Sequence, residues 1–409
     1  MTPAERSAQS PTDVVAGRWR QVAAASNLLA ADGSVTTTIF AEMSALAART
    51  GAINLGQGFP DTDGPQEVLD AAVTAIRSGQ NQYPPGRGVP ALREAIAAHQ
   101  RRFHGLDVDP DREVLVTAGA TEAIAATVMA LCSPGDEVVM FEPYYDAYAA
   151  AVELAGAVRR TVPLAFPGYG LDPRAFEAAF SDRTRLVLLN TPHNPTGHVF
   201  SLPEMERIAA VARGRGVLVV TDEVYEHLLF DGRRHVPMAS LPGMRERTVT
   251  ISSAGKTFSV TGWKVGWVVA PAELVEAVTT VKQFLTYVNA GPFQPAVATG
   301  LALPDEVYAE VAVRLQAGRD LLVEGLLAAG FEVSVPGGTY FVVADAAPLG
   351  YEDGLELCRA LPGLAGVVAV PVQVFHDDPA AGRSLVRFAV CKRPEVLREA
   401  ALRLAALRR

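Results

Sequence analysis

Cysteine is scarce in this chain: three in 409 residues, Cys132, Cys358 and Cys391. They stand far apart, so neither a disulfide framework nor a Cys-based metal spacing is available, and a reducing, cytoplasmic setting is expected. Long apolar runs are missing too. No stretch approaches the roughly 20 residues of a membrane span, and the N-terminus lacks the charged-then-apolar order of a secretory signal, so no membrane partner is expected. Positive charge is in deficit, with 36 Lys and Arg against 45 Asp and Glu and a net charge of −9. Nucleic-acid binders usually carry a basic face, so that partner is excluded as well. His193 has no His or Cys partner at ligand spacing and reads as turn-lining, so no metal is expected. No internal repeat is visible.

What is present is apolar content of 49%, enough for a large core, over a length that suggests two or three domains. Residues 1–30 mix Ala, Ser, Pro and Arg and read as a flexible N-terminal extension. Beyond them, helical patterns (40–48, 90–104, 203–213, 273–284, 305–330) alternate with β-branched runs. Five of those runs end in groups of chemical interest. Glu113–Thr117 leads into Ala118-Gly119-Ala120-Thr121-Glu122 and an Ala-rich helix, a strand–turn–helix whose free N–H groups suit a phosphate, or else a plain helix cap. Asp136–Phe141 ends in Glu142-Pro143-Tyr144-Tyr145, where an aromatic either stacks on a flat ring or packs in the core. Arg185–Asn190 runs into Thr191-Pro192-His193-Asn194-Pro195-Thr196-Gly197, whose prolines fix a turn around Asn194. Val217–Thr221 ends in Asp222-Glu223-Val224-Tyr225. Thr248–Ile251 ends in Ser252-Ser253-Ala254-Gly255-Lys256-Thr257-Phe258, with Lys264 eight residues beyond the lysine.

In open α/β sheets, ligands gather at the carboxyl ends of the strands. A lysine held there away from water loses basicity, and the neutral amine attacks carbonyls. Gly255-Lys256-Thr257 also ends the phosphate-loop pattern GxxxxGK[ST], but that pattern needs glycine where Thr250 stands. An acid at Asp222 either pairs with a cationic ring nitrogen or caps a helix. Taken singly each feature is ordinary; as a group they suit one ligand with a phosphate, a flat cationic ring and an aldehyde, which is pyridoxal 5′-phosphate on Lys256. Late in the chain, Arg387 interrupts the apolar strand Ser384–Val390. A buried arginine wants an anion, either a substrate carboxylate or an internal acid.

With the lysine stretch, Asn194-Pro195-Thr196-Gly197, Asp222-Glu223-Val224-Tyr225 and Arg387, the chain from about residue 35 onward resembles the class I aminotransferases of fold type I. Gly56-Gln57-Gly58-Phe59-Pro60 and Ser253-Ala254-Gly255-Lys256-Thr257-Phe258 are similar to the branch of kynurenine and glutamine aminotransferases. Phe40-Ala41-Glu42-Met43-Ser44 and Gly119-Ala120-Thr121-Glu122 look closest to its actinobacterial N-succinyldiaminopimelate members. The resemblance implies an α/β fold: a large cofactor-binding domain over 61–297 with a mostly parallel seven-stranded sheet, and a smaller α/β domain from 31–60 and 298–409. It implies Lys256 as the Schiff-base lysine and proton carrier, Asp222 on the ring nitrogen, Tyr225 and Asn194 on the phenolic oxygen, and Tyr145 stacked on the ring. Gly119, Ala120, Thr121, Ser253 and Lys264 would hold the phosphate, with Tyr83 supplied by the partner of a homodimer. Arg387, Asn194 and Gly58 would receive the substrate carboxylate, with Phe40 and Tyr340 lining the side-chain pocket. Many members of the class have arginine where Lys264 stands; lysine keeps the charge without the bidentate fork.

The expected activity is amino transfer between an L-amino acid and a 2-oxo acid. Pyruvate and ammonia formed without an acceptor would instead mark a β-lyase, and a chain that stays colourless with the cofactor would mark a non-catalytic ligand-binding relative. Arg87 and the loop 285–295 are candidates for choosing the substrate side chain.

Overall fold

Residues 17–30 and 32–408 are described by a computed structural model. Strands Val114–Thr117 (β1), Glu137–Glu142 (β2), Val158–Pro163 (β3), Thr184–Asn190 (β4), Leu218–Asp222 (β5), Thr248–Ser253 (β6) and Gly266–Val269 (β7) form one sheet in the order β1-β7-β6-β5-β4-β2-β3. All pairings are parallel except those that β7 makes with β1 and β6. The central strands are apolar almost throughout because helices cover both faces. Val138, Met140, Leu188, Val220 and Ile251 pack into one layer, and Val139, Phe141, Val187, Leu189 and Val219 into the other. Only β3, at an edge, alternates exposed and covered residues.

The parallel strands β1, β2, β4, β5 and β6 place their carboxyl ends along one rim, which carries Thr117, Glu142, Asn190, Asp222 and Ser253. A second sheet follows late in the chain. Val370–Pro371, Leu385–Ala389, Phe341–Asp345 and Glu332–Ser334 pair antiparallel in that order. The 25-residue helix Asp305–Ala329 and helix Pro394–Ala405 flank it. Their close approach depends on glycine, since a Cβ at Gly325 would stand 2.5 Å from Ala401 Cβ. Helix Ile39–Thr50 is capped by Thr38 Oγ1, which accepts from Ala41 N at 3.1 Å. It packs on helix Gly354–Ala365, and Ile53–Asn54 pairs with Val367–Val368. The core under one face of the large sheet runs on into the small one, joining Val187 and Val219 to Val343, Val386 and Leu361.

Two expectations need correction. Residues 1–16 lie outside the described residues, but the second half of the supposed extension is built. Trp19–Ala25 is a helix that buries Ala23 and Ala25 against helix Asp146–Ala155, and Asn27 Nδ2 donates to Val374 O at 3.0 Å. Its Ala-rich stretch is a good helix former once a surface is present to cover it. The loop 285–295 also ends early, because helix Phe293–Leu301 begins inside it. Pro295 sits in the first turn, where a backbone N–H has no intrahelical partner and proline is tolerated.

Candidate active site

The strand ends surround a cavity of about 250 Å³. Gly119, Ala120 and Thr121 line it at the first turn of helix Gly119–Leu131, where free N–H groups and the positive end of the helix dipole suit an anion. Gly119 has φ +75°, a conformation that favours glycine. Ser253 closes β6 beside it, and Lys264 completes that corner. The Lys264 backbone is left-handed, with φ +55°, and is held by Asn289, whose Nδ2 donates to Lys264 O at 2.9 Å and to Thr117 O at 3.1 Å.

Asp222 closes β5, buried at 4% exposure. Its Oδ2 accepts from Tyr148 Oη at 2.7 Å, and Oδ1 accepts from Val224 N at 3.3 Å. Burial pushes its carboxyl up to about 6, against the pull of these donors and of Lys256. An acid desolvated this far is ready to share charge with a cation brought to it. Lys256 lies in the single helical turn Ala254–Thr257 after β6. Burial holds its ammonium below the ordinary lysine value; the cations Lys264 and Arg387 push the same way, while Cys391 and Asp222 oppose. Tyr145 caps helix Asp146–Ala155 and lines the cavity, with its phenol pushed up to about 12 by burial. Tyr225 also lines it, with its ring edge-on to Tyr340 at 5.3 Å.

At the other end, Arg387 is 2% exposed. Among the described residues its hydrogen bonds go to uncharged oxygens: Nη1 to Asn194 Oδ1 at 3.0 Å and Nη2 to Gly56 O at 3.2 Å. Nε has no partner. The rings of Phe341, Phe375 and Phe40 surround the guanidinium, with centroids at 4.0, 5.0 and 5.5 Å. Burial lowers its pKa to about 10, which leaves it charged at neutral pH. A buried cation without an anion is costly, and a ligand carboxylate is the group that would relieve it. Among the described residues no acid forms a salt bridge with Arg387; Asp146 acts on it only through longer-range charge attraction.

The fold therefore brings Lys256, Asp222, Tyr225, Tyr145, Asn194, Gly119, Ala120, Thr121, Ser253, Lys264, Phe40, Gly58 and Arg387 to one cavity. It does not bring Tyr340. That residue lies behind the wall, its Oη donating to Gly58 O at 2.6 Å, and its neighbour Phe341 lines the cavity instead. Gly58 must be glycine, since a Cβ would stand 2.6 Å from Phe341 Cζ. Tyr83 is 82% exposed and away from this chain's cavity, edge-on to Tyr287 at 5.7 Å. Arg87 is spent on the carbonyls of Asp111 and Arg112.

Sequence reasoning missed Tyr148, Asn190 and Phe341. Asn190 Nδ2 donates to Asp222 O at 2.8 Å while its Oδ1 accepts from Asn194 N at 2.6 Å, so one side chain positions both neighbours. Its signal was a polar residue ending an otherwise apolar strand; that of Tyr148 was its place three residues after Tyr145, on the same helix face.

A mostly parallel α/β sheet that gathers a desolvated lysine, a buried acid and an anion-seeking arginine at its strand ends is the active-site plan of a fold type I enzyme. The chain belongs to the family described as aminotransferase class I and II, whose model matches residues 50–404. It is 54% identical to the probable N-succinyldiaminopimelate aminotransferase DapC of Mycobacterium tuberculosis, over 91% of this chain and 96% of that protein. The solved structure of the N-succinyldiaminopimelate aminotransferase from that organism aligns with a TM-score of 0.91 at 52% identity, covering 96% of this chain and all of that one. The methionine aminotransferase of Escherichia coli is 42% identical over 91% of this chain and 96% of its own length. Like its family, the chain is a pyridoxal-phosphate-dependent transferase. The cavity fits that cofactor: a helix N-terminus with a hydroxyl and an ammonium for the phosphate, Asp222 for the ring nitrogen, Tyr145 for the ring face and Lys256 for the aldehyde. Among the described residues no helix is long and apolar enough to cross a membrane.

Proposed function

We infer that this aminotransferase takes N-succinyldiaminopimelate or a related amino acid as its amino partner, with a 2-oxo acid as the other. The observation that carries the placement of the substrate is Arg387, a buried guanidinium that hydrogen-bonds only to uncharged oxygens among the described residues and whose Nε has no partner. The 54% identity to the mycobacterial relative supports the side-chain assignment.

In this reading the cofactor, when bound, supplies the electron sink that makes the substrate Cα–H acidic. The chain supplies the rest. Lys256 would hold the cofactor, and its amine, whose basicity burial has lowered, would serve as the general base that carries the Cα proton. Asp222, oriented by Tyr148, would keep the ring nitrogen protonated. Asn194 and Tyr225 would hold the phenolic oxygen, and Asn194 also accepts from Arg387, so that one amide would set both cofactor and carboxylate. Gly119, Ala120, Thr121, Ser253 and Lys264, which line one corner of the cavity, would bind the phosphate. The exposed Tyr83 is assigned to the neighbouring cavity of a cytoplasmic homodimer, where the partner subunit's Tyr83 would complete this one. The same reading divides the chain into a large domain over 61–297 and a smaller one from 31–60 and 298–409.

A second reading has a specific observation behind it. The cavity walls nearest Arg387 are Phe40 and Phe341, which suit an apolar side chain such as that of methionine. A panel of amino donors against 2-oxoglutarate separates the two. The first reading expects N-succinyldiaminopimelate to have the highest kcat/KM; a tenfold advantage for methionine or kynurenine would replace it with the second. Borohydride reduction and peptide mapping should place the cofactor on Lys256, and a label elsewhere would end both.

A further inference from the structure

Four of the seven histidines, His99, His104, His227 and His235, converge outside the cavity just described. His99 ends helix Pro90–His99, and His104 ends the π-turn Gln100–His104 that continues it. On a regular α-helix, residues five apart diverge by roughly 140° around the axis. The wider i→i+5 turn returns them toward one side, and such turns recur at functional sites. Both rings approach Glu226, in the turn after β5. His104 Nε2 lies 2.6 Å from Glu226 Oε2, and Ser252 Oγ on β6 donates to Oε1 at 2.6 Å. One ring nitrogen each from His99 and His104 and one Glu226 oxygen all lie within 4.8 Å of one another.

These contacts do not form a closed hydrogen-bond network. His99 Nδ1, His235 Nδ1 and Glu223 Oε1 are buried without partners among the described residues. A polar atom left bare in the interior is destabilising, because it has given up water without gaining a partner. His99 Nε2 and His227 Nε2 stand 2.7 Å apart, so one of those nitrogens is an acceptor and its ring is neutral, the form that ligates metals.

We propose that His99, His104 and Glu226 form a binding site for one divalent transition-metal ion of the zinc type. Two imidazoles and a carboxylate are a zinc donor set, with water or His227 in the fourth position. Binding displaces the proton shared by His104 and Glu226 to solvent. The ion braces the end of helix Pro90–His99 against the turn that follows Asp222. Ser252 steadies Glu226 as an outer-sphere partner, and it is the residue before Ser253 of the phosphate corner.

The test uses the cofactor-loaded enzyme, stripped of metal by chelator dialysis and titrated with Co²⁺ or Zn²⁺ salts alone. One ion per chain is expected, with Co²⁺ giving visible d–d absorption that Zn²⁺ abolishes. His104→Gln, which keeps a donor toward Glu226, should lose more than about a hundredfold in Zn²⁺ affinity, beyond the cost of an outer-sphere partner. His198→Gln, remote from the cluster, should bind as the unaltered chain does. Anomalous scattering at the zinc edge from crystals of the unaltered enzyme locates the ion even if His104→Gln does not fold. No stoichiometric ion, an ion placed elsewhere, or equal affinity in His104→Gln overturns the site.

Discussion

The phenol of Tyr148 donates to Oδ2 of Asp222 across 2.7 Å, and both side chains are buried. Nothing else in the side-chain shell of Asp222 donates to that oxygen among the described residues, so Tyr148 sets the direction in which the carboxylate points. Tyr148→Phe removes the bond and leaves the ring packing. A hydrogen bond to a charged group contributes about 1.5–3 kcal/mol, so cofactor affinity should fall roughly tenfold or more by equilibrium dialysis. An unchanged Kd would show that backbone contacts alone orient the acid.

Asp222 itself should be a burden to the cofactor-free protein. Its carboxyl is pushed by burial from 3.8 up to about 6, so between these values the folded chain holds a proton that the unfolded chain has released. Stability therefore declines as pH rises through that window and stays lower above it. A shift of this size corresponds to about 3 kcal/mol. Asp222→Asn, stripped of cofactor, should be more stable than the unaltered chain by up to that amount at pH 7–8 and no more stable near pH 4. Denaturant unfolding at the two pH values checks the sign.

Arg387→Lys keeps a charge but loses the fork that meets a carboxylate with two parallel bonds. It also vacates the slot between Phe341, Phe375 and Phe40. Weakening a buried charge pair costs about 2–5 kcal/mol, so kcat/KM for the amino acid should drop by at least roughly 30-fold. The cofactor's absorbance should be intact, since Arg387 serves the substrate end. Steady-state kinetics with a spectrum of the resting enzyme reads both.

Asn190→Ala cuts one buried and one partly buried hydrogen bond and leaves Asp222 O and Asn194 N to find other partners. We expect a loss of about 1–3 kcal/mol in stability. A raised KM for the amino acid should accompany it, because Asn194 loses the anchor from which it holds Arg387. Loss of stability with an unaltered KM would mean that the turn holds its own shape.

Much of the site was legible because each group interrupts an apolar pattern. Lys256, Asp222, Asn194 and the Gly119–Thr121 turn all follow β-branched runs, and Arg387 stands inside one. Pairings were not legible. Tyr148 meets Asp222 across 74 residues of chain, and Asn190 meets it across 32. Tyr340 does not line the cavity because its phenol is directed at Gly58 O; its ring packs 4.8 Å from that of Phe341, which does line it. The histidine cluster escaped for the same long-range reason. His104 and Glu226 lie 122 residues apart, and no spacing along the chain announces them.

By itself, the order of residues determined the alternation of strands and helices and the chemical kinds of group at the strand ends. Hydrophobic periodicity and turn chemistry act over a few residues and are written locally. Tertiary structure alone decided which buried polar group faces which. It left Arg387 among uncharged oxygens, and it drew Tyr148 and Asn190 onto Asp222. Those outcomes depend on contacts between distant segments, which exist only once the sheet has placed its strand ends side by side.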